Sequence, residues 1–141
     1  MKKRLNTNLI ERFSRQIILK NIGILGQKKI LTSKVLIVGV GGLGSSAAEF
    51  LVRSGIGKLG IVDYDKVSLS NLHRQSLYET SDVKKSKVQV VKKILNRINP
   101  NTKVQTYGLK LNNNNFKKII KKYDYIIDGS DNFKTKFLLN D

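Results

Sequence analysis

Hydrophobic residues recur along the chain in two rhythms. Residues 34–39 (KVLIVG) form a near-continuous apolar run, the pattern of a strand buried on both faces of a parallel sheet. Residues 58–63 (KLGIVD) repeat it, residues 103–108 (KVQTYG) alternate, and residues 125–132 (YIIDGSDN) give a fourth strand with its exit loop. Between them the apolar positions shift to helical spacing. Residues 8–31 read as helix broken by Gly23 and Gly26. Residues 43–54 read as a helix ending near Gly55 and Gly57, and 84–98 as a helix with Val88, Val91, Leu95 and Ile98 on one face and Pro100 just past its end. An Asn-rich loop precedes a short helix, residues 64–82 are irregular and polar, and a last helix starts at Phe133.

Strands alternating with helices predict an α/β fold: a doubly wound, Rossmann-like, mostly parallel sheet behind an amino-terminal helical segment. Right-handed crossovers favour the strand order 3-2-1-4. The crevice between strands 1 and 4 then receives the turn 39–44 and the loop 128–132. Two motifs distant in sequence converge on the place where such sheets bind ligands.

Gly39, Gly41 and Gly44 fit G-x-G-x-x-G between a strand and a helix. Glycines permit a tight turn, and the following helix presents unpaired N–H groups to a phosphate. Gly42 adds another position without a Cβ. Asp63 ends the second strand, where an acid takes ribose hydroxyls. To this point an NAD(P)-dependent oxidoreductase accounts for every feature. The next stretch, DYDKVSLSNLHRQSLY, does not suit one. It places Asp65, Ser70, Asn71, Arg74 and Gln75 beside the glycine turn, and a nicotinamide cofactor has no exposed triphosphate for Arg74 to meet. Spacing alone leaves Lys87 one more surface lysine and His73 solvent-facing or structural. Asp128 and Asp131 flank a Gly-Ser turn, as turn formers or as a carboxylate that holds Mg²⁺ against phosphates.

Composition narrows the chemistry. The chain has 141 residues, enough for one domain, and no apolar run long enough to span a membrane. The first residues are basic but lack the apolar run of a signal peptide. With no cysteine and one histidine, disulfides, a structural zinc site and a protein thioester are all excluded from this chain, and a reducing cytoplasm is the expected setting. The formal net charge is +17. Its lysines are scattered, without an Arg-rich arm or interleaved aromatics, so a solvated basic surface is the first reading and specific nucleic-acid binding is not expected. A surface matched to an acidic macromolecule competes with that reading.

In order along the chain, RFSRQIILKNIGILGQKKI, VLIVGVGGLGSSAAEFLVRSGIGKLGIVDYDKVSLSNLHRQSLY, the lysine of VKKSK, INP and YDYIIDGSDNFKTKFLLND resemble the amino-terminal half of the ThiF/MoeB/HesA family, bacterial and plastid relatives of the ubiquitin-activating enzymes. The likeness covers about residues 9–141. It implies ATP rather than NAD, and adenylation of the carboxyl-terminal glycine of a ubiquitin-like sulfur carrier of the ThiS or MoaD kind, as in thiamine or molybdopterin biosynthesis. By position it implies that Gly42 lies against the phosphates and that Asp63 binds ribose. Asn71, Arg74 and Lys87 would contact phosphates, with Ser70 in the same stretch, and Asp131 would hold Mg²⁺ with Asn132 beside it. Arg15 would reach the other subunit's site in a homodimer, with residues 1–31 as the dimerisation segment. The cytoplasm, or a plastid stroma for an organelle-encoded chain, would be the compartment. Two departures stand out: Lys84 replaces a usual Gly, and DGSDN replaces DxTDN. Family members continue well beyond this length, so residues 1–141 read as a single, incomplete adenylyltransferase domain: a fragment, a truncated product or a decaying gene.

Overall fold

The computed structural model describes residues 5–140, with the side chain of Phe133 left aside. Four parallel strands, β1 (Lys34–Val38), β2 (Lys58–Val62), β3 (Lys103–Tyr107) and β4 (Tyr125–Asp128), lie in the order β3-β2-β1-β4, as the alternation predicted. Central β1 pairs Val35 with Leu59 on one side and with Tyr125 on the other.

Each inner strand buries both faces. Val35, Ile37, Leu59, Ile61 and Val104 meet helices α3 (Gly42–Ser54) and α4 (Lys87–Ile98) through Ala48, Val52, Val88, Val91 and Leu95. On the opposite face Leu36, Val38 and Val62 pack against Phe116 and Ile119 of α5 (Asn113–Ile120), with α6 (Phe133–Asn140) contributing Leu138 and Leu139. The end of the Tyr123 ring, just after α5, packs on β2 at Gly60, where a Cβ would sit 2.3 Å from the ring's Cζ and displace it.

Two expectations are corrected. The amino-terminal helices are α1 (Thr7–Ile17) and α2 (Gly23–Thr32), and the chain turns over 18–22 rather than at the two glycines. Gly23 opens α2 with φ +57°, while Gly26 lies inside the helix. The fourth helix begins at Lys87, not at 84. Lys84 adopts φ +73°, and residues 84–86 are drawn off by a distant segment: Lys84 N–H donates to Val67 O and Val67 N–H to Lys85 O, both at 2.8 Å.

The helical pair is fastened to the sheet at its amino-terminal end. Phe13 is buried under Gly55, where a Cβ would stand 2.4 Å from the ring. Side-chain amides of Gln16 and Gln27 both donate to Ser54 O, at 3.1 and 3.0 Å. Much of the remaining apolar surface of this segment is uncovered, with Ile18 71% and Leu25 75% exposed.

Candidate functional site

The carboxyl ends of β1, β2 and β4 open into a cavity of about 740 Å³. Its floor is the turn from β1 into α3. Gly39 has φ +88°, and a Cβ on it would meet Gly129 O at 2.9 Å, so this position is glycine for both dihedral and space. Gly44 lies beneath, where a Cβ would fall 1.8 Å from Gly39 O. Gly41 and Gly42 differ. A Cβ at Gly41 would find only Gln75 Nε2 at 3.6 Å, and one at Gly42 only Arg74 atoms from 3.8 Å. Packing within the chain demands no glycine there, and both positions border the cavity.

A hydrogen-bond chain fixes this floor. Asp63, 9% exposed, accepts from Val40 N–H at 2.9 Å through one carboxylate oxygen and from Asp65 N–H at 2.8 Å through the other. Each oxygen keeps a second lone pair for a ligand hydroxyl. On the next peptide, the buried Tyr78 hydroxyl donates to Val40 O at 2.7 Å, so Val40 is held through both its N–H and its carbonyl. Burial, then the negative charges of Asp63 and Asp65, hold the Tyr78 phenol far above the usual tyrosine range. It therefore stays a donor across the biological pH range.

Two cations line the same cavity. Lys87 is 5% exposed at the start of α4, and its Nζ lies 3.6 Å from Asp65 Oδ2, an ion pair longer than a hydrogen bond. Its spacing suggested a surface lysine; the structure buries it in the cavity wall. Arg74 is exposed, its guanidinium held loosely by Ser70 O at 3.4 Å and His73 Nε2 at 3.3 Å. The β4 exit loop supplies the acid side. Asp128 Oδ1 accepts from Ser130 N–H at 2.9 Å and so serves as the turn former. Asp131 is exposed on the cavity rim, and Asn132 Oδ1 caps α6 by accepting from Thr135 N–H at 2.8 Å.

The fold thus brings Gly39, Gly41, Gly42, Asp63, Asn71, Arg74, Lys87, Asp131 and Asn132 around one cavity. Ser70 is not in the wall; its hydroxyl pairs with Ser68 at 2.9 Å. Arg15 is not there either. It is exposed on α1, whose neighbours Phe13 and Gln16 contact Gly55 and Ser54 at the opposite end of the sheet. Sequence reasoning missed Tyr78, and also Tyr64 and residues 109–111, which close the β2–β3 side of the cavity. No local pattern marks these residues, because each is placed by tertiary packing.

The cavity suits a nucleoside triphosphate. Two glycines leave a cradle that a Cβ would fill, at the amino end of α3 where main-chain N–H groups are unpaired. Buried Gln75 Oε1 has no hydrogen-bond partner among the described residues. For a metal the fit is narrower: among the described residues no three His, Cys, Asp or Glu side chains converge. A single carboxylate with substrate phosphates completing the shell is the habit of Mg²⁺, and Asp131 matches that donor set.

A parallel doubly wound sheet with a glycine turn and an acidic exit loop meeting at its switch point defines a Rossmann-like phosphate-binding domain. The chain belongs to the ThiF family, whose model matches residues 13–141. Among curated relatives, the adenylyltransferase and sulfurtransferase MOCS3 of Aedes aegypti is 45% identical over 98% of this chain and 32% of its own. The sulfur carrier protein adenylyltransferase of Thermus thermophilus is 42% identical over 94% of this chain and 49% of its own. The chain thus spans about a third to a half of the length of these relatives. Among solved structures, E. coli tRNA N6-threonylcarbamoyladenosine dehydratase, TcdA, in complex with ATP superposes with a TM-score of 0.85 at 27% identity, covering 92% of this chain and 53% of that one.

Proposed function

We propose that this chain is the ATP-binding part of an enzyme that adenylates the carboxyl-terminal glycine of a ubiquitin-like sulfur carrier. The carrier is of the type used in molybdopterin or thiamine biosynthesis. The observation that carries the reading is a glycine cradle and a buried lysine lining one cavity, Gly41 and Gly42 with Lys87, in a chain whose relatives are named adenylyltransferases. The NAD(P) alternative leaves Arg74, Lys87 and Asp131 without a role.

A peptide carboxyl terminus has a pKa of about 3.5, so it is already a nucleophile at neutral pH and needs no general base. One of its oxygens attacks the α-phosphorus. The bond from that phosphorus to the bridging α–β oxygen breaks, and pyrophosphate leaves with the electron pair. The obstacle is bringing an anion to a polyanion. Lys87, Arg74 and the N–H groups of the glycine turn offset that charge and hold the reacting groups in line. Asp131 would hold a Mg²⁺, which would supply further positive charge against the phosphates. Asp63 takes the ribose, Asn71 lies against the phosphates, and Asn132 steadies the loop that carries Asp131.

Arg15 faces away from its own cavity, which supports a role at the cavity of a second subunit. The uncovered apolar residues of α1 and α2 support residues 1–31 as the homodimer contact. A cytoplasmic setting accords with the absence of cysteine. No helix among the described residues is long and apolar enough to cross a membrane.

Calorimetry with MgATP and with NADH, followed by carrier-dependent pyrophosphate exchange, tests the proposal. MgATP binding with exchange is expected. Tight NADH binding without MgATP binding would overturn it, and MgATP binding without exchange would reduce the chain to a nucleotide-binding remnant.

A further inference from the structure

The amino-terminal end of the sheet, opposite the cavity, carries a concentration of positive charge. Lys34, Lys58 and Lys103 open β1, β2 and β3 and are in register with one another, so they stand side by side across three strands. Adjacent strands are about 4.8 Å apart, so the row places three ammonium groups within roughly 10 Å at their roots. The segment after α5 adds Lys122. Two tyrosines form the base of the cluster: Lys58 Nζ lies 4.6 Å from the Tyr123 ring centre, Lys122 Nζ lies 6.0 Å from that of Tyr107, and the two hydroxyls are 3.1 Å apart.

These charges are not compensated. The ion pairs among the described residues are Arg53–Glu49, Lys85–Asp82 and Lys87–Asp65, and none involves this row. The nearby acid, Asp124, directs Oδ2 to Lys34 N–H at 2.9 Å, a main-chain contact. Partial burial and the charges of Lys103, Lys122 and Lys34 push the Lys58 amine below its ordinary value. Four of the chain's ten acids, Asp63, Asp65, Asp128 and Asp131, lie at or just past the carboxyl ends of the strands, away from this row.

We propose that this lysine row is a docking face for the phosphodiester backbone of a nucleic acid, bound without regard to sequence. Like charges crowded on a rigid sheet end repel, and a polyanion laid across them removes that repulsion and releases condensed counterions. The face is made of lysine ammoniums and lacks arginine. Protein–protein interfaces are depleted in lysine and depend on aromatic and Arg anchors, which favours phosphate over an acidic protein surface. The tyrosine rings lie under lysines and so are not platforms for stacked bases. Backbone contact without base reading follows. The inference is independent of the nucleotide cavity.

The test uses fluorescence anisotropy of labelled single-stranded RNA and of duplex DNA with the full chain, titrated across salt concentrations without ATP. The combined variant Lys34→Gln, Lys58→Gln, Lys103→Gln is compared with Lys20→Gln, Lys66→Gln, Lys93→Gln, which removes the same charge from other exposed positions. The row variant is expected to lose affinity at least about tenfold at low salt. Its log–log salt slope should flatten by about 2 on RNA and nearly 3 on duplex, while the control stays near the parent. Replacing the row by arginine should retain binding, which guards against misfolding of the glutamine variant. Equal losses in the two glutamine variants, or no binding by the parent, would overturn the proposal. So would poly-glutamate binding as tightly as RNA through the same lysines, since that would identify an acidic protein as the occupant.

Discussion

Gly42→Ala and Gly44→Ala are one methyl each, two residues apart in sequence, and should fail in opposite ways. At Gly44 the new Cβ would lie 1.8 Å from Gly39 O and 2.9 Å from its carbonyl carbon. Gly39 is held in place: its N–H donates to Val62 O at 2.8 Å, and Gly129 packs so close that a Cβ added to Gly39 would meet Gly129 O at 2.9 Å. Overpacking into side chains that can adapt costs about 1–3 kcal/mol, and a collision between two backbones lies at or above the top of that range. At about 2–4 °C per kcal/mol for a domain of this size, Tm should fall by about 10 °C or the chain should not fold. At Gly42 the nearest atoms are 3.8 Å away, φ is not positive, and the position is helical. There alanine should leave Tm unchanged or raise it, by up to about 1 kcal/mol of helix propensity. The methyl would instead occupy the space assigned to phosphate. A loss of about 1.4 kcal/mol or more, tenfold in Kd, is expected for MgATP. Differential scanning fluorimetry and calorimetry on both variants provide the readouts. A folded Gly42→Ala protein that binds MgATP like the parent would refute the cradle, and a Gly44→Ala protein with unchanged Tm would refute the packing of the turn.

Three further outcomes are expected. Arg74→Ala and Asp131→Ala should each weaken MgATP binding by about ten- to a hundredfold, the value of one charge-assisted contact, while Lys93→Ala should not; calorimetry decides. Tyr78→Phe leaves the Val40 carbonyl unpartnered and should cost about 1–3 kcal/mol in urea unfolding. Because the folded phenol titrates far above the unfolded value of 10.0, its contribution is complete below that pH and fades above it, so the parent should lose Tm more steeply than Tyr78→Phe in that alkaline window. Finally, mixing Arg15→Ala with Arg74→Ala chains should restore pyrophosphate exchange through one unmutated site per mixed dimer; failure, with mixed dimers shown by native mass spectrometry, would remove Arg15 from the partner's site.

The strand order and the meeting of the two loops were legible in the sequence because they rest on short-range pattern and on the handedness of crossovers. What escaped depends on contacts between distant segments. Lys84–Ser86 has helical composition, yet Val67 takes its backbone hydrogen bonds. Tyr78 could not be told from any loop tyrosine until the fold carried it to Val40, 38 residues away. The lysine row was hidden for the same reason: Lys34, Lys58 and Lys103 are isolated in sequence, and only the strand register lines them up.

The contact between Gly39 and Gly129 bears on how the protein is made. The floor of the cavity is joined early in synthesis, since Val40 reaches Asp63 only 23 residues on. The other wall arrives late: β4 docks beside β1 through contacts such as Lys34 with Asp124, 90 residues apart, so this pairing waits for most of the chain and carries its own loop-closure entropy. A chain emerging from the ribosome would therefore hold half a binding site until residues 125–132 are released and seated. A nucleotide that touches both walls binds the seated form better than the open one, so by mass action it would draw the last strand home. In that case the substrate would act as a folding ligand before the protein performs any chemistry, and a cell short of ATP would accumulate chains whose final strand has not yet docked.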